Sequence, residues 1–373
     1  MKRLFAIAAL SLGTLVLGAC ELAPKTSAQN GYRGTGMDTV KVSAAAAASE
    51  VPAPPYAMPA AGGESASAAY QNVKVLGDVS RDQFDYTMAA ITQWVAPTAE
   101  GCNYCHNPAN LASDEKYTKV VARRMIQMTR ALNSNWSDHV GKTGVTCWTC
   151  HRGEAVPTEK WAMPVDHAKG LFGSRRGQNE PVSNSAYASL PNAAVARYLL
   201  GADTLEDEQN IRIVGQYAHP VKGKPGVSTM ATEPSYALMM HISQSLGVNC
   251  TYCHNAQSFQ QWASSNPPRQ TAYYGVRMVR DINHQYIGSL TNVFPANRKG
   301  EAGDPYKVNC ATCHRGQNKP MGGAQMAKDY PALLRAVAGP APGPVASPLP
   351  PPPTGAVPVA AAPTAKAAKV AVR

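Results

Sequence analysis

"HVGKTGVTCWTCHRG" (residues 139–153) places two cysteines and two histidines within fifteen positions. A C-x-x-C pair followed at once by histidine admits half a zinc site, a redox-active thiol pair, a disulfide loop or a haem attachment point. The rest of the chain decides among them. Of nine cysteines, eight form four pairs with this spacing: Cys102/Cys105, Cys147/Cys150, Cys250/Cys253 and Cys310/Cys313. Histidine follows each pair directly, as His106, His151, His254 and His314. Zinc ribbons bring two C-x-x-C pairs together about 15 to 20 residues apart with no obligatory histidine after each. A thioredoxin-like site needs a single motif in a βαβ setting. Neither explains the fifth residue. Covalent haem does: two thiols bond one porphyrin edge, and the adjacent imidazole becomes the proximal iron ligand. The expectation is four covalently bound c-type haems.

The termini read differently from this centre. Lys2 and Arg3, then "LFAIAALSLGTLVLG" and "LGAC", form an export signal over residues 1–19, too short for a membrane span. "LGAC" resembles the bacterial lipoprotein processing box, which implies that Cys20 becomes a lipid-modified N-terminus and anchors the chain to a membrane. Residues 20–70 are rich in Ala, Pro, Gly and Ser and read as a tether; residues 336–373 are a Pro/Ala-rich tail. The chemistry therefore lies in a core spanning 71–335. The formal charge of +11 suggests an anionic partner such as nucleic acid. Eight haem propionates and loss of Lys2 and Arg3 bring that charge down by roughly ten, so nucleic-acid binding loses its support.

The core repeats itself. "NVKVLG" (72–77) recurs as "NIRIVG" (210–215), "GCNYCHN" as "NCTYCHN", "ARRMIQMTRALN" as "GVRMVRDINHQY", and "TCWTCHRG" as "NCATCHRG", in the same order. Residues 72–153 and 210–316 are thus two copies of one unit, each a short strand followed by two haem-binding segments. About 55 residues of loop with one helix join them. The predicted fold is mainly α with little β, a multihaem cytochrome c of two pseudo-twofold-related halves, each binding two haems, with long irregular connections. Helical period runs through Phe84, Met88, Ile91 and Val95; through Val121, Met125, Met128 and Leu132; and through Leu238, Met239, Ile242 and Leu246. Haem replaces the scarce Phe, of which there are 5, as core.

A sixth ligand on each iron closes it and leaves electron transfer as its chemistry. Met88 and Met239 occupy corresponding helices before the first and third motifs; Met125 and Met278 are paired in the same way before the second and fourth. Met128 and Met240 compete with them, since methionine also fills irregular core gaps.

Several long stretches, "ITQWVAPTAEGCNYCHN", "YTKVVARRMIQMTRALNSNWSDHVGKTGVTCWTCHRG", "YALMMHISQSLGVNCTYCHNAQSF" and "YYGVRMVRDIN", resemble the tetrahaem cytochrome c subunit of the photosynthetic reaction centre of purple bacteria. The likeness covers about residues 70 to 335. It implies Met88, Met125 and Met239 as distal ligands of the first three haems, and for the fourth a histidine from the other half, which falls on His139. Met278 and His284 are the rivals at that place, whereas His167, His219 and His241 read as surface or structural. Arg277 resembles an arginine that favours the reduced state of the third haem. The resemblance further implies an electron carrier without substrate turnover, lipid-anchored on the periplasmic side of the photosynthetic membrane. Its partners are then a soluble cytochrome c or high-potential iron-sulfur protein as donor, and the bacteriochlorophyll-carrying membrane subunits as acceptor. A multihaem cytochrome of a respiratory reductase chain is the alternative; enzymes of that class need an open iron, often with an altered motif, and all four motifs here are standard.

Overall fold

The computed structural model describes residues 51–165, 191–201, 211 and 229–336, together with two short backbone strands. The signal peptide with Cys20, most of the connection with His167 and His219, and nearly all of the 336–373 tail lie outside the described residues. The architecture is mainly helical. The one sheet among the described residues is an antiparallel ribbon of β1 (Lys25–Gln29) and β2 (Asp38–Val42). No helix among the described residues is long and apolar enough to cross a membrane.

Helix α1 (Arg81–Val95) starts where the Ser80 hydroxyl accepts from the Gln83 N–H, with Asp82 in its first turn, and stops ahead of Pro97. Helix α2 (Tyr117–Asn135) follows, and the short α3 (Cys147–His151) carries the second motif. Helix α4 (Pro191–Tyr198) lies in the connection. Helix α5 (Thr229–Leu246) ends at Gly247, whose φ of +62° suits glycine. Helix α6 (Pro268–Asp281) runs on into a π-helical turn, Ile282–Ile287, and α7 (Cys310–His314) carries the fourth motif. All three helical stripes read from the sequence fall inside α1, α2 and α5.

Two expectations need correction. "NVKVLG" is not a strand: Asn72 and Leu76 take φ of +59° and +62°, and the Asn72 amide donates to the Ala112 carbonyl and to Asp114. Alternating apolar residues need a neighbouring ladder to become a strand, and none lies beside them. Its second copy falls outside the described residues except Ile211. Nor is 20–70 merely a tether. It contains the β1–β2 ribbon, and Val51 packs on the first apolar cluster while the Tyr56 ring meets Tyr86 edge-on at 5.2 Å.

Three apolar clusters hold the core. One gathers Leu76, Tyr86, Trp94, Ile126, Tyr330 and Leu333. A second gathers Trp161, Val195, Tyr198, Leu199, Leu238 and Val279. The third joins α2 to α6 through Leu132, Trp136, Val145, Met278 and Ile282, with Met125 and Met128 packed against it. Trp136 Nε1 donates to Asp281 across the same junction, 3.2 Å away.

Buried polar side chains clasp the clusters in matched sets. Arg130 Nε donates to the Ala332 carbonyl at 2.8 Å; Arg280 Nε donates to the Tyr198 carbonyl at 2.7 Å. The Asn133 amide donates to the carbonyls of Val145 and Leu333, and its oxygen accepts from the Val145 N–H. Asn283 does the same with Val308 and Leu199. The Gly153 N–H donates to the Trp94 carbonyl at 2.9 Å, and the Gly316 N–H to the Ser245 carbonyl at 2.8 Å. Asn283 is 2% exposed, so deleting its amide leaves backbone groups buried and unpaired. Asn283→Ala is expected to lower stability by about 2–4 kcal/mol, read from denaturant midpoints, whereas a surface change such as Gln285→Ala stays within about 0.5 kcal/mol.

Asp114 ties the loop after the first motif to α2. Its carboxylate meets Arg123 at 2.8 Å, Lys74 at 2.8 Å and Lys119 at 3.4 Å. Hydrogen bonds from Arg123 and then Lys74 hold the carboxyl well below the usual carboxylate range. A depressed folded pKa gives stability that is present above the unfolded value near 3.9 and is lost as pH falls through the folded value. About a third of the side chain is exposed, so solvent screening keeps the effect small. Asp114→Asn should therefore remove part of the acid sensitivity of the wild-type chain; acid titrations followed by circular dichroism that superimpose would refute this.

Candidate functional site

The four motifs adopt two local forms. The first and third are 3₁₀ turns, Gly101–Tyr104 and Cys250–Tyr252; the second and fourth are the one-turn helices α3 and α7. Both helices open with a reciprocal capping box, Thr146 with Thr149 and Asn309 with Thr312, and close on a left-handed arginine, Arg152 (φ +53°) and Arg315 (φ +48°). Asn249 also precedes a C-x-x-C pair but makes no such cap, and the third motif stays a 3₁₀ turn.

Every motif histidine points one ring nitrogen at a backbone carbonyl. His106 Nδ1 meets the Leu111 carbonyl at 3.0 Å and His254 Nδ1 the Phe259 carbonyl at 3.0 Å, both five residues on. His151 Nδ1 meets Glu154 at 2.8 Å and His314 Nδ1 meets Gln317 at 2.9 Å, both three residues on. A carbonyl only accepts, so Nδ1 carries the proton and Nε2 keeps a lone pair. Metal-ligating histidines are oriented in this way. Burial lowers the pKa of His151 and His254, and that of His314 to about 4, which keeps these imidazoles neutral at pH 7.

A continuous cavity of ≈ 680 Å³ joins the first and second motifs. Cys102, Cys105 and His106 line it with Met88, and Cys147, Cys150 and His151 line it with Met125. Its volume is that of a large-ligand pocket. The Thr92 and Thr129 hydroxyls donate, each at 2.9 Å, to the carbonyls of Met88 and Met125 four residues earlier, so the two methionines sit in like helical surroundings. Met239 packs against the second cluster on α5. Burial pushes the Cys147 and Cys310 thiols up to about 12. The second and fourth motifs touch: the Cys150 and Cys313 thiols are neighbours that shift each other's titration, and Arg315 Nη2 donates to the Cys150 carbonyl at 3.0 Å. The Nε of Arg315 is buried without an acceptor among the described residues, which suits an anionic group brought by a cofactor.

His139 faces His314. Their ring centroids are 5.9 Å apart at 71°, and His139 Nδ1 is held by the Thr271 carbonyl at 2.9 Å. Two metal–nitrogen bonds of about 2 Å each, with a ring radius added at either end, span roughly 6 Å, so the separation of the two rings suits one metal between them. Of the rivals, Met278 is buried in the third cluster and His284 is exposed. The matched bonds also correct the register of the repeat: Arg130 with Arg280 and Asn133 with Asn283 align Met128 with Met278, and Met125 with Gly275. Trp94 with Ser245 likewise aligns Met88 with Met239.

Arg277 is buried, with its guanidinium 5.9 Å from the Trp136 ring centre and 5.8 Å from that of Tyr273. His241, read as structural, is fully buried and accepts from the Cys310 N–H at 3.2 Å, so it fixes the start of α7. The segments that close the clasps, Tyr198–Leu199 and Ala332–Leu333, carry no motif and were not legible as part of the site.

The family model for the photosynthetic reaction centre cytochrome C subunit matches residues 21–334. The chain is 47% identical over 329 residues to the photosynthetic reaction center cytochrome c subunit of Rubrivivax gelatinosus, covering 87% of each chain. It is 46% identical to the protein of the same name from Thermochromatium tepidum, over 91% of this chain and 84% of the relative. Cytochrome c-554 of Chloroflexus aurantiacus is more distant, at 25% over 59% of this chain. The chain belongs to the family of photosynthetic reaction centre cytochrome c subunits.

Proposed function

We propose that the chain binds four c-type haems in two pseudo-twofold-related halves. It passes electrons from a soluble periplasmic donor to the photo-oxidised bacteriochlorophyll pair of a reaction centre, without substrate turnover of its own. The observation that carries this reading is the set of four C-x-x-C-H histidines, each with Nδ1 on a backbone carbonyl and Nε2 left for iron. Bound haem supplies one-electron chemistry at an iron whose potential its ligands tune.

Residue roles follow from position. Cys102/Cys105, Cys147/Cys150, Cys250/Cys253 and Cys310/Cys313 bond the porphyrins, and His106, His151, His254 and His314 are the proximal ligands. Met88, Met125 and Met239 serve the first three irons and His139 the fourth; the 5.9 Å separation of His139 and His314 supports the last assignment. With a second protein ligand of this kind at each iron, bound haem would be closed to small molecules and left to one-electron chemistry. Buried Arg277 adds positive charge beside the third haem and raises its potential. The matched clasps around Arg130/Asn133 and Arg280/Asn283 support the two-half architecture, with 71–335 as core. Cys20, once lipidated, holds the core at the periplasmic face of the membrane. A respiratory role has no observation in its favour.

Flash excitation of native membranes should oxidise haem within the lifetime of the oxidised pair, and absence of any light-driven haem oxidation would defeat the proposal. Magnetic circular dichroism of the purified holoprotein should resolve three His/Met haems and one bis-His haem; four His/Met signatures would remove His139 from the ligand set.

A further inference from the structure

We infer that Gly275 decides which ligand serves the fourth haem: its missing side chain opens, in the second half, the slot that Met125 fills in the first, and His139 enters it. The inference rests on the proposed ligation of that haem by His139 and His314.

Two observations converge on Gly275. The clasp bonds align it with Met125, so the repeat has lost its methionine at this one position while keeping the surrounding frame. The space beside Gly275 is taken by an imidazole. A Cβ built on Gly275 would stand 2.5 Å from His139 Cε1, 2.7 Å from Nδ1 and 3.2 Å from Nε2. Contacts as short as the first two essentially never occur, so a side chain at 275 displaces the ring. Neither side can yield cheaply. Gly275 is buried within α6, and the ring is tethered to the Thr271 carbonyl one helical turn earlier on that helix. Substitution at 275 therefore shifts Nε2 away from His314 or breaks the Thr271 bond. Met278 offers no replacement, because the clasp bonds align it with Met128 rather than with Met125, and its side chain is buried at 6% exposure.

The consequence is electronic. Methionine raises haem potential relative to histidine, so a Gly at 275 and a His at 139 together set the fourth haem below the potential that methionine ligation would give it. Gly275 acts on the iron through His139 and is a positioning residue.

The test uses full-length holoprotein, read by near-infrared magnetic circular dichroism and redox titration. Gly275→Ala is expected to lose the bis-imidazole signature with the other three haems unchanged; a variant keeping one bis-His haem at the wild-type potential overturns the inference. His139→Ala and the double variant His139→Ala/Gly275→Met form a second comparison that stands even where Gly275→Ala fails to accumulate. The double variant should gain a fourth His/Met signature and a fourth-haem potential shifted upward from wild type, and His139→Ala alone should not. Identical spectra for these two variants overturn the inference. Lack of any bis-imidazole signal in wild-type protein is a different failure: it refutes the ligand set itself, and the role of Gly275 with it.

Discussion

An imidazole can serve a metal from either ring nitrogen, and a site that leaves both free fixes neither tautomer nor direction. Here the choice is made by the backbone. Each motif histidine spends Nδ1 on a carbonyl three or five residues downstream, so the acceptor is built into the same short segment as the histidine. The turn that supplies the carbonyl must then be held. Lys119 donates to the Leu111 carbonyl that His106 also uses, and Asp114 pairs with Lys119. Charge, turn and ring direction are thereby coupled at the first motif.

The second requirement is that α2 and α6 keep their faces toward these segments. The clasps meet it with side chains that read backbone rather than side-chain identity. Asn133 and Asn283 each exchange two hydrogen bonds with one valine, as a strand neighbour would, in a fold that contains almost no strand. Their third bond and the arginine bond reach segments far along the chain: Ala332–Leu333 closes the frame around α2, and Tyr198–Leu199 closes the one around α6. The first frame is thus completed by a segment that follows the fourth motif in the chain. A low-polarity interior makes such bonds costly to break, which is why buried arginine and asparagine recur at matched places.

Much of this was legible in the sequence because the informative signals are local. Four C-x-x-C-H motifs and three helical stripes are patterns of spacing; the motifs fall on short turns or one-turn helices and the stripes inside α1, α2 and α5. What was not legible depends on non-local partners. "NVKVLG" alternates like a strand, yet its environment is a pair of left-handed turns bonded to the loop at 112–114. The register of "ARRMIQMTRALN" against "GVRMVRDINHQY" was set on the visible methionines; buried bonds from Arg and Asn set it three residues away. The carbonyl-bearing segments at 198–199 and 332–333 act through backbone atoms, and backbone atoms leave no residue signature.

The two motif forms differ in capping and exposure. The second and fourth motifs are capped helices whose cysteines are neighbours and which the Arg315 side chain ties together at the Cys150 carbonyl, so their spacing is set by direct contact rather than by the long connection. The first and third sit on 3₁₀ turns, and the residues that supply their histidine acceptors, Leu111 and Phe259, are 61% and 46% exposed. Electron transfer falls steeply with distance, so a fixed inner pair preserves the step between halves. The outer motifs are the more open to solvent of the two pairs at these acceptor residues. Under the proposed function, electrons enter and leave through the outer motifs, and the inner contact carries them across the join. The ligand difference assigned to Gly275 then falls within that inner pair, where a change in potential alters the passage between halves without altering either docking face.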